Sequence, residues 1–356
     1  MRILIATDAW PPQVNGVVVA LANIIAGLRR LGHEVHVVSP EGMRTMPTPT
    51  YPEIPLALFP GREVARRILE FDPQAIHIAT EGPIGIAARS YCIRNRLRFS
   101  TSYHTCFPEY IAVRTGIPLS WTYAMMRRFH SASSAVMVAT EPLLEQLHWR
   151  GFERLAVCPL GVDLELFRPS EERFTQFPRP VFTYVGRLAV EKDIPAFLRL
   201  DLPGTKLVVG DGPERKRLER DFPDAVFVGF KHGAELASYY QRSDAFVFPS
   251  RTETFGLVML EALACGVPVA ALPVRGPLDV VTDAATGVLD WNLAAAALAA
   301  LKVDRAACRR HAERFPWETG TAVFVSKLTS NLNKSETLPS YSRNAGPMAR
   351  AREEKA

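Results

Sequence analysis

Short runs of aliphatic and β-branched residues alternate along this chain with longer stretches whose apolar positions recur every three to four residues. The first pattern, bounded by turn residues, marks strands buried on both faces; the second marks helices with one packed side. In the first half, RILIAT, EVHVVSP, AIHIAT, FSTSYH, AVMVAT and LAVCPLGV read as strands. Amphipathic stretches such as VVVALANIIAGLRRLG lie between them, and Gly32 stands where a helix C-cap belongs. After PLGVDLELFRPS the alternation restarts with VFTYVGR, TKLVVGDG, AVFVGF, AFVFPS and VPVAAL. Strand–helix alternation predicts α/β units on parallel sheets. The restart predicts a domain boundary near residue 170, with the Pro-rich FTQFPRP as linker. Two such units facing each other hold a ligand between the carboxyl ends of their sheets.

Composition narrows this picture only modestly. With 356 residues and 47% hydrophobic content, the chain has material for two cores. Its apolar runs, such as LAAAALAAL near residue 297, fall short of the roughly 20 residues that span a bilayer. MRILIATDAW reads as a first strand rather than a signal peptide, which fits a cytoplasmic protein. The five cysteines, Cys92, Cys106, Cys158, Cys265 and Cys308, form no C-x-x-C pair, so neither a disulfide framework nor a metal site is expected. A net charge of +5 is too diffuse to argue for nucleic acid, and suits an anionic small ligand or membrane surface. Beyond about Asn331 the composition turns to Ser, Asn, Pro, Lys, Arg and Glu, the mark of a disordered tail.

The candidate chemistry sits at strand ends. In SRTETFGLVMLEALACGVPVA, Glu253 and Glu261 stand in an otherwise apolar stretch, where a carboxylate is costly without a partner. A helix over 255–265 would separate the two acids by roughly 12 Å along its axis. That is comparable with the hexose-to-ribose span of a sugar nucleotide. The helix tip at Phe255 and Gly256 would offer free amides to a diphosphate. A plainer reading makes Glu253 a first-turn acid and Glu261 a partly exposed helical residue. VGRLAVEKDI supplies Arg187 and Lys192 after a strand end, a fork and a point charge for phosphate oxygens or simply two solvated cations. His104 ends the strand of TSYHTCFPEY; Asn15–Gly16 opens a long helix, another anion site; and Gly210 begins a GDGP turn beside the presumed nucleotide. No G-x-G-x-x-G follows the first strand, which disfavours a dehydrogenase.

Together, YHT, PLGVD-x-x-x-F, VGRL-x-x-EKD, GDGP, the E-x7-E stretch and FPWE at Phe315 to Glu318 resemble retaining nucleotide-sugar glycosyltransferases of family four, over nearly all of the chain to about residue 330. The resemblance implies a GT-B fold: an acceptor-side domain over 1–170, a donor domain over 171–314, and a crossover helix over 315–332 returning to the first domain, with a tail over 333–356. It implies that Arg187 and Lys192 grip the donor diphosphate. Glu253 would hold hexose hydroxyls beside the Phe255, Gly256 and Leu257 amides, with Gly210 bordering the nucleotide. Glu261 would bind the ribose, His104 would touch the sugar near its reacting carbon, and Gly16 would approach from the opposite domain. It further implies retention, no essential metal and no cofactor. Many relatives carry Gly-Gly-x-x-Glu where this chain has VRGPLDVV, so Arg275 and Asp279 leave a sugar contact in doubt there.

The expected partners are a UDP- or GDP-sugar and a lipid acceptor resembling diacylglycerol or phosphatidylinositol, with no nucleic acid. EYIAVRTGIPLSWTYAMMRRFH mixes Tyr, Trp, Met and Arg as a segment lying in a membrane interface does, and equally as a core-facing helix does. A peripheral site on the inner face of the cytoplasmic membrane follows from the first reading. The alternatives are a soluble acceptor with the same donor chemistry, and a catalytically silent nucleotide-sugar-binding subunit.

Overall fold

The computed structural model describes residues 1–13, 15–48 and 51–328. The strands of the first half are β1 (Arg2–Ala6), β2 (Glu34–Val38), β3 (Thr45–Thr48), β4 (Tyr51–Ala57), β5 (Ala75–Ile78), β6 (Ser100–Ser102), β7 (Val136–Val138) and β8 (Leu155–Val157). Those of the second half are β9 (Val181–Val185), β10 (Thr205–Val209), β11 (Val226–Gly229), β12 (Ala245–Phe248), β13 (Val269–Ala271) and β14 (Gly287–Leu289). Every apolar run read as a strand contains one. Two parallel six-stranded sheets result, ordered β2-β1-β5-β6-β7-β8 and β11-β10-β9-β12-β13-β14. The expected α/β class holds in both halves.

The sequence reading missed β14 and the antiparallel β3–β4 hairpin. Pro47, Pro52 and Pro55 occupy that hairpin, and prolines demote a segment in any strand reading. The first helix matches its pattern. Asn15 caps it by accepting from the Val18 amide at 3.0 Å, and Val18, Leu21, Ile24, Ile25 and Leu28 fill its buried side over Gly16–Arg30. Gly32, at φ +78°, follows in the left-handed conformation that stops it.

The helix Trp317–Lys327 returns to the first half, where the Val162 amide donates to the Phe315 carbonyl at 2.9 Å. Its Thr321 sits directly against Gly27 of the first helix, and Trp317 and Phe324 are buried in a core shared by both halves. The expected tail over 333–356, and the last residues of the expected crossover, lie outside the described residues. Among the described residues no helix is long and apolar enough to cross a membrane, and all five cysteines are buried as free thiols.

Candidate active site

In the second sheet the strand order reverses between β9 and β12, which lie side by side. The crevice outside the carboxyl ends of two such strands is where open α/β sheets bind ligands. The chain leaves β9 into Gly186, Arg187 and a single 3-10 turn, Val190–Lys192. It leaves β12 into Pro249–Gly256 and then the helix Leu257–Ala264. Sheet topology therefore brings Arg187, Lys192, Glu253, Phe255, Gly256 and Leu257 to one place.

At its centre Lys192 Nζ donates to Glu253 Oε2 at 2.5 Å, with side chains only 18% and 15% exposed. Burial alone would lower the Lys192 pKa, but the Glu253 carboxylate, with Tyr110 and Tyr184 nearby, outweighs it and drives the pKa up. Lys192 thus keeps its positive charge. Glu253 Oε1 accepts from the Thr254 amide at 3.2 Å. Gly276 lies so close that a Cβ there would sit 2.9 Å from the Glu253 Cβ, so only glycine allows the 275–277 backbone to pack on this carboxylate.

The helix beyond is shorter than its pattern suggested. It begins at Leu257, because Gly256 takes φ +94°, a left-handed conformation that breaks the helical run. Glu261 therefore lies about one turn inside rather than two, and the axial 12 Å separation of the acids does not apply, since Glu253 precedes the helix. The Phe255 and Gly256 amides just ahead of it have no acceptor among the described residues. Glu261 is buried, not partly exposed, and its Oε2 accepts from the Tyr240 hydroxyl at 2.9 Å. Burial raises its pKa to about 7, and the Tyr240 hydrogen bond restrains that rise. Among the described residues nothing donates to its Oε1.

Gly210 braces this loop through the backbone. The Gly186 amide donates to Val209 O at 3.0 Å and the Leu188 amide to Asp211 O at 2.9 Å, fixing the turn that carries Arg187. Its packing is tight enough to require glycine, since a Cβ at Gly210 would lie 1.9 Å from Gly186 O. The Tyr184 hydroxyl donates to the Arg187 carbonyl at 3.1 Å from below.

The first half meets this site directly. The Thr254 hydroxyl donates to the His104 carbonyl at 2.8 Å, joining the Glu253 loop to the end of β6. The His104 imidazole has a buried Nε2 without a partner, and burial, with His130 adding to it, lowers its pKa to about 4. It is neutral at physiological pH. Below it, His77 is clamped between the Ser100 and Ser102 hydroxyls at 2.9 and 3.0 Å, and His130 contacts Glu81 at 3.2 Å. The helix Phe107–Thr115 contributes Tyr110. Burial raises the pKa of its Tyr110, whose phenol lies within electrostatic reach of Lys192 and Glu253.

Gly16 and Asp279 come from stretches outside the two switch-point loops. Gly16 is exposed, with open space where a Cβ would point. Asp279, from the divergent VRGPLDVV stretch, accepts from the Thr140 hydroxyl of the first half at 3.0 Å. It is a strap between the halves. The sequence reading gave no role to Thr254, Tyr110, Tyr240 or the Thr140–Asp279 bond; the short TETF cluster is the signal that could have pointed to Thr254.

The helix after β6 has one buried and one exposed face. Thr122, Tyr123, Met126 and Phe129 of the helix Leu119–His130 are buried, while Trp121 and Met125 are 72% and 55% exposed beside exposed Arg127 and Arg128.

Residues 14–166 match the family model described as Glycosyltransferase Family 4, and residues 169–313 match Glycosyl transferases group 1. The chain is 32% identical over 317 residues to a GDP-mannose-dependent alpha-mannosyltransferase of Mycobacterium tuberculosis, covering 81% of this chain and 83% of that one. It is 25% identical over 317 residues to the alpha-monoglucosyldiacylglycerol synthase of Acholeplasma laidlawii, covering 76% of this chain and 79% of that one. Among solved structures it is similar to sucrose-phosphate synthase from Thermosynechococcus elongatus, with a TM-score of 0.72, 19% identity, and coverage of 91% and 97% of the two chains. The two facing parallel-sheet units are those of the GT-B architecture.

Proposed function

This chain belongs to glycosyltransferase family 4, and from that premise we propose that it transfers a hexose, with retention, from a nucleotide sugar to a lipid acceptor. GDP-mannose is the leading donor, since the mycobacterial relative is named for it, and a UDP-hexose is the alternative. The observation that carries the reading is the Lys192–Glu253 pair at the β9–β12 switch point, tied through Thr254 to His104. A diphosphate needs neutralising most when it leaves. Arg187 and Lys192 supply two cations for it, and the Phe255, Gly256 and Leu257 amides supply a helix tip. Glu253 takes hexose hydroxyls, and Glu261 turns its unpartnered Oε1 to the ribose diol. His104, neutral and unpartnered at Nε2, accepts from a hydroxyl near the reacting carbon. Gly16 bounds the cleft from the acceptor side. The leaving phosphate accepts the proton of the attacking hydroxyl on the face where the new bond forms, and Arg187, Lys192 and the helix tip take the charge-neutralising place of a divalent metal.

The lipid acceptor is supported by the name of the Acholeplasma relative and by the exposed Trp121 and Met125 with Arg127 and Arg128 beside them. Radiolabelled GDP- and UDP-hexoses offered to a total lipid extract, with products separated by chromatography, test both halves. One labelled glycolipid from one donor supports the proposal. Label entering only water-soluble product selects the soluble acceptor, and no transfer from any donor refutes the enzymatic reading. Sedimentation with anionic vesicles at low salt, and release at high salt, is the physical counterpart.

A further inference from the structure

The Lys192–Glu253 contact raises a difficulty for any ligand that needs both groups. At 2.5 Å the two side chains already satisfy each other, and neither is more than 18% exposed. Glu253 is held in place by the Thr254 amide on Oε1 and by the Gly276 backbone against its Cβ and Cγ. Lys192 stands on a single 3-10 turn, and its four-carbon stem lets the ammonium move where the carboxylate does not. The mobile partner is therefore the cation.

We propose that this ion pair distinguishes the nucleotide sugar from the spent nucleoside diphosphate by exchange of partners. The inference rests on the donor-site reading above. When the donor arrives, Lys192 swings from Glu253 to the diphosphate and the hexose hydroxyls donate to Glu253 in its place, so each buried charge keeps a partner. When the nucleoside diphosphate is alone, Lys192 reaches the phosphate only by stripping Glu253 of its counter-ion. A shielded carboxylate left in that state is strongly unfavourable. After transfer the hexose is gone, Lys192 returns to Glu253, and the phosphate loses one of its cations. Product release is thus coupled to sugar departure, without any other group moving.

Calorimetric titration of UDP and GDP into the wild type, Glu253→Gln, Lys192→Met and the double variant tests this. Glu253→Gln keeps the shape but removes the charge that holds Lys192, so it tightens nucleoside diphosphate binding about tenfold, about 1.4 kcal/mol. Lys192→Met then costs about tenfold more affinity in the Glu253→Gln background than in the wild type, because only there is the ammonium's attraction to phosphate undivided. Simple repulsion between Glu253 and phosphate gives the opposite sign: loss of the shielding Lys192 would hurt the wild type more. That sign, or equal costs in both backgrounds, overturns the proposal. If Lys192→Met leaves affinity unchanged in both backgrounds, it is the phosphate role of Lys192 that fails. Thermal melts of each variant establish that it is folded, and Lys192→Gln replaces any Met variant that is not.

Discussion

Glu261→Gln gives the most quantitative check on the donor-side pocket. Burial raises the Glu261 pKa from its ordinary 4.5 to about 7, opposed by the hydrogen bond from Tyr240. Between those two pH values the folded chain holds a proton that the unfolded chain has released. The folded state therefore binds more protons, and stability falls as pH rises through this window. At about 1.4 kcal/mol for each pH unit separating the two values, the loss reaches about 3 kcal/mol and is complete above pH 7. The substituted amide carries no charge, fills the same space and still accepts from Tyr240, so the variant escapes this loss. The melting temperature of the variant relative to wild type is expected to climb by about 3–4 °C between pH 5 and pH 8, taking about 1.3 °C per kcal/mol for a chain of 356 residues. Thermal denaturation across that range, in matched buffers, reads the difference directly. A wild-type-to-variant difference that is the same at pH 5 and pH 8 refutes the account of Glu261 as a carboxylate under strain from burial. The same shift has a binding consequence. A ribose diol donates to the ionised form, so nucleotide binding at pH 6 releases a proton, detectable as a buffer-dependent heat, and Glu261→Gln abolishes that release.

Three further outcomes are expected. Glu253→Ala lowers turnover about 10²–10³-fold, the range for losing a transition-state contact, without weakening nucleoside diphosphate binding; unchanged turnover in steady-state assays removes Glu253 from the site. Chelation with EDTA leaves transfer intact, and a strict requirement for added divalent metal in the same assay contradicts the mechanism. Gly320→Ala would place a Cβ 2.2 Å from the Pro159 carbonyl beneath the returning helix, so its melting temperature falls by several degrees, and an unperturbed melt shows that this helix docks elsewhere.

The division into legible and illegible features follows chain separation. The strands of both sheets were readable because their β-branched runs are local and nearly continuous, as in β1 and β9, buried along almost their whole length. Lys192 and Glu253 could be named from motifs, but their contact joins residues 61 positions apart. The Thr254–His104 and Thr140–Asp279 bonds span 150 and 139 positions. No periodicity encodes such pairs; the strand order does, by setting β9 beside β12 and the carboxyl ends of the two sheets face to face. Glu261 illustrates the reverse error. Its acidic side chain suggested a partly exposed position in the plainer reading, whereas Tyr240, on an amphipathic stretch with no chemical signal, supplies the hydroxyl that accompanies its burial. The Gly256 break was also missed, since Phe255 to Cys265 is apolar enough to continue as one helix and only the backbone angle ends it.

The central claim is that Arg187, Lys192, Glu253 and Glu261 surround one nucleotide sugar in the cleft. A crystal structure of the protein with its preferred nucleotide-hexose tests it most directly. The account predicts the diphosphate within hydrogen-bonding distance of Arg187 and Lys192, hexose hydroxyls on Glu253 in place of the ammonium, and the ribose on Glu261. A nucleotide bound away from the β9–β12 switch point, with the Lys192–Glu253 pair still closed, would contradict it.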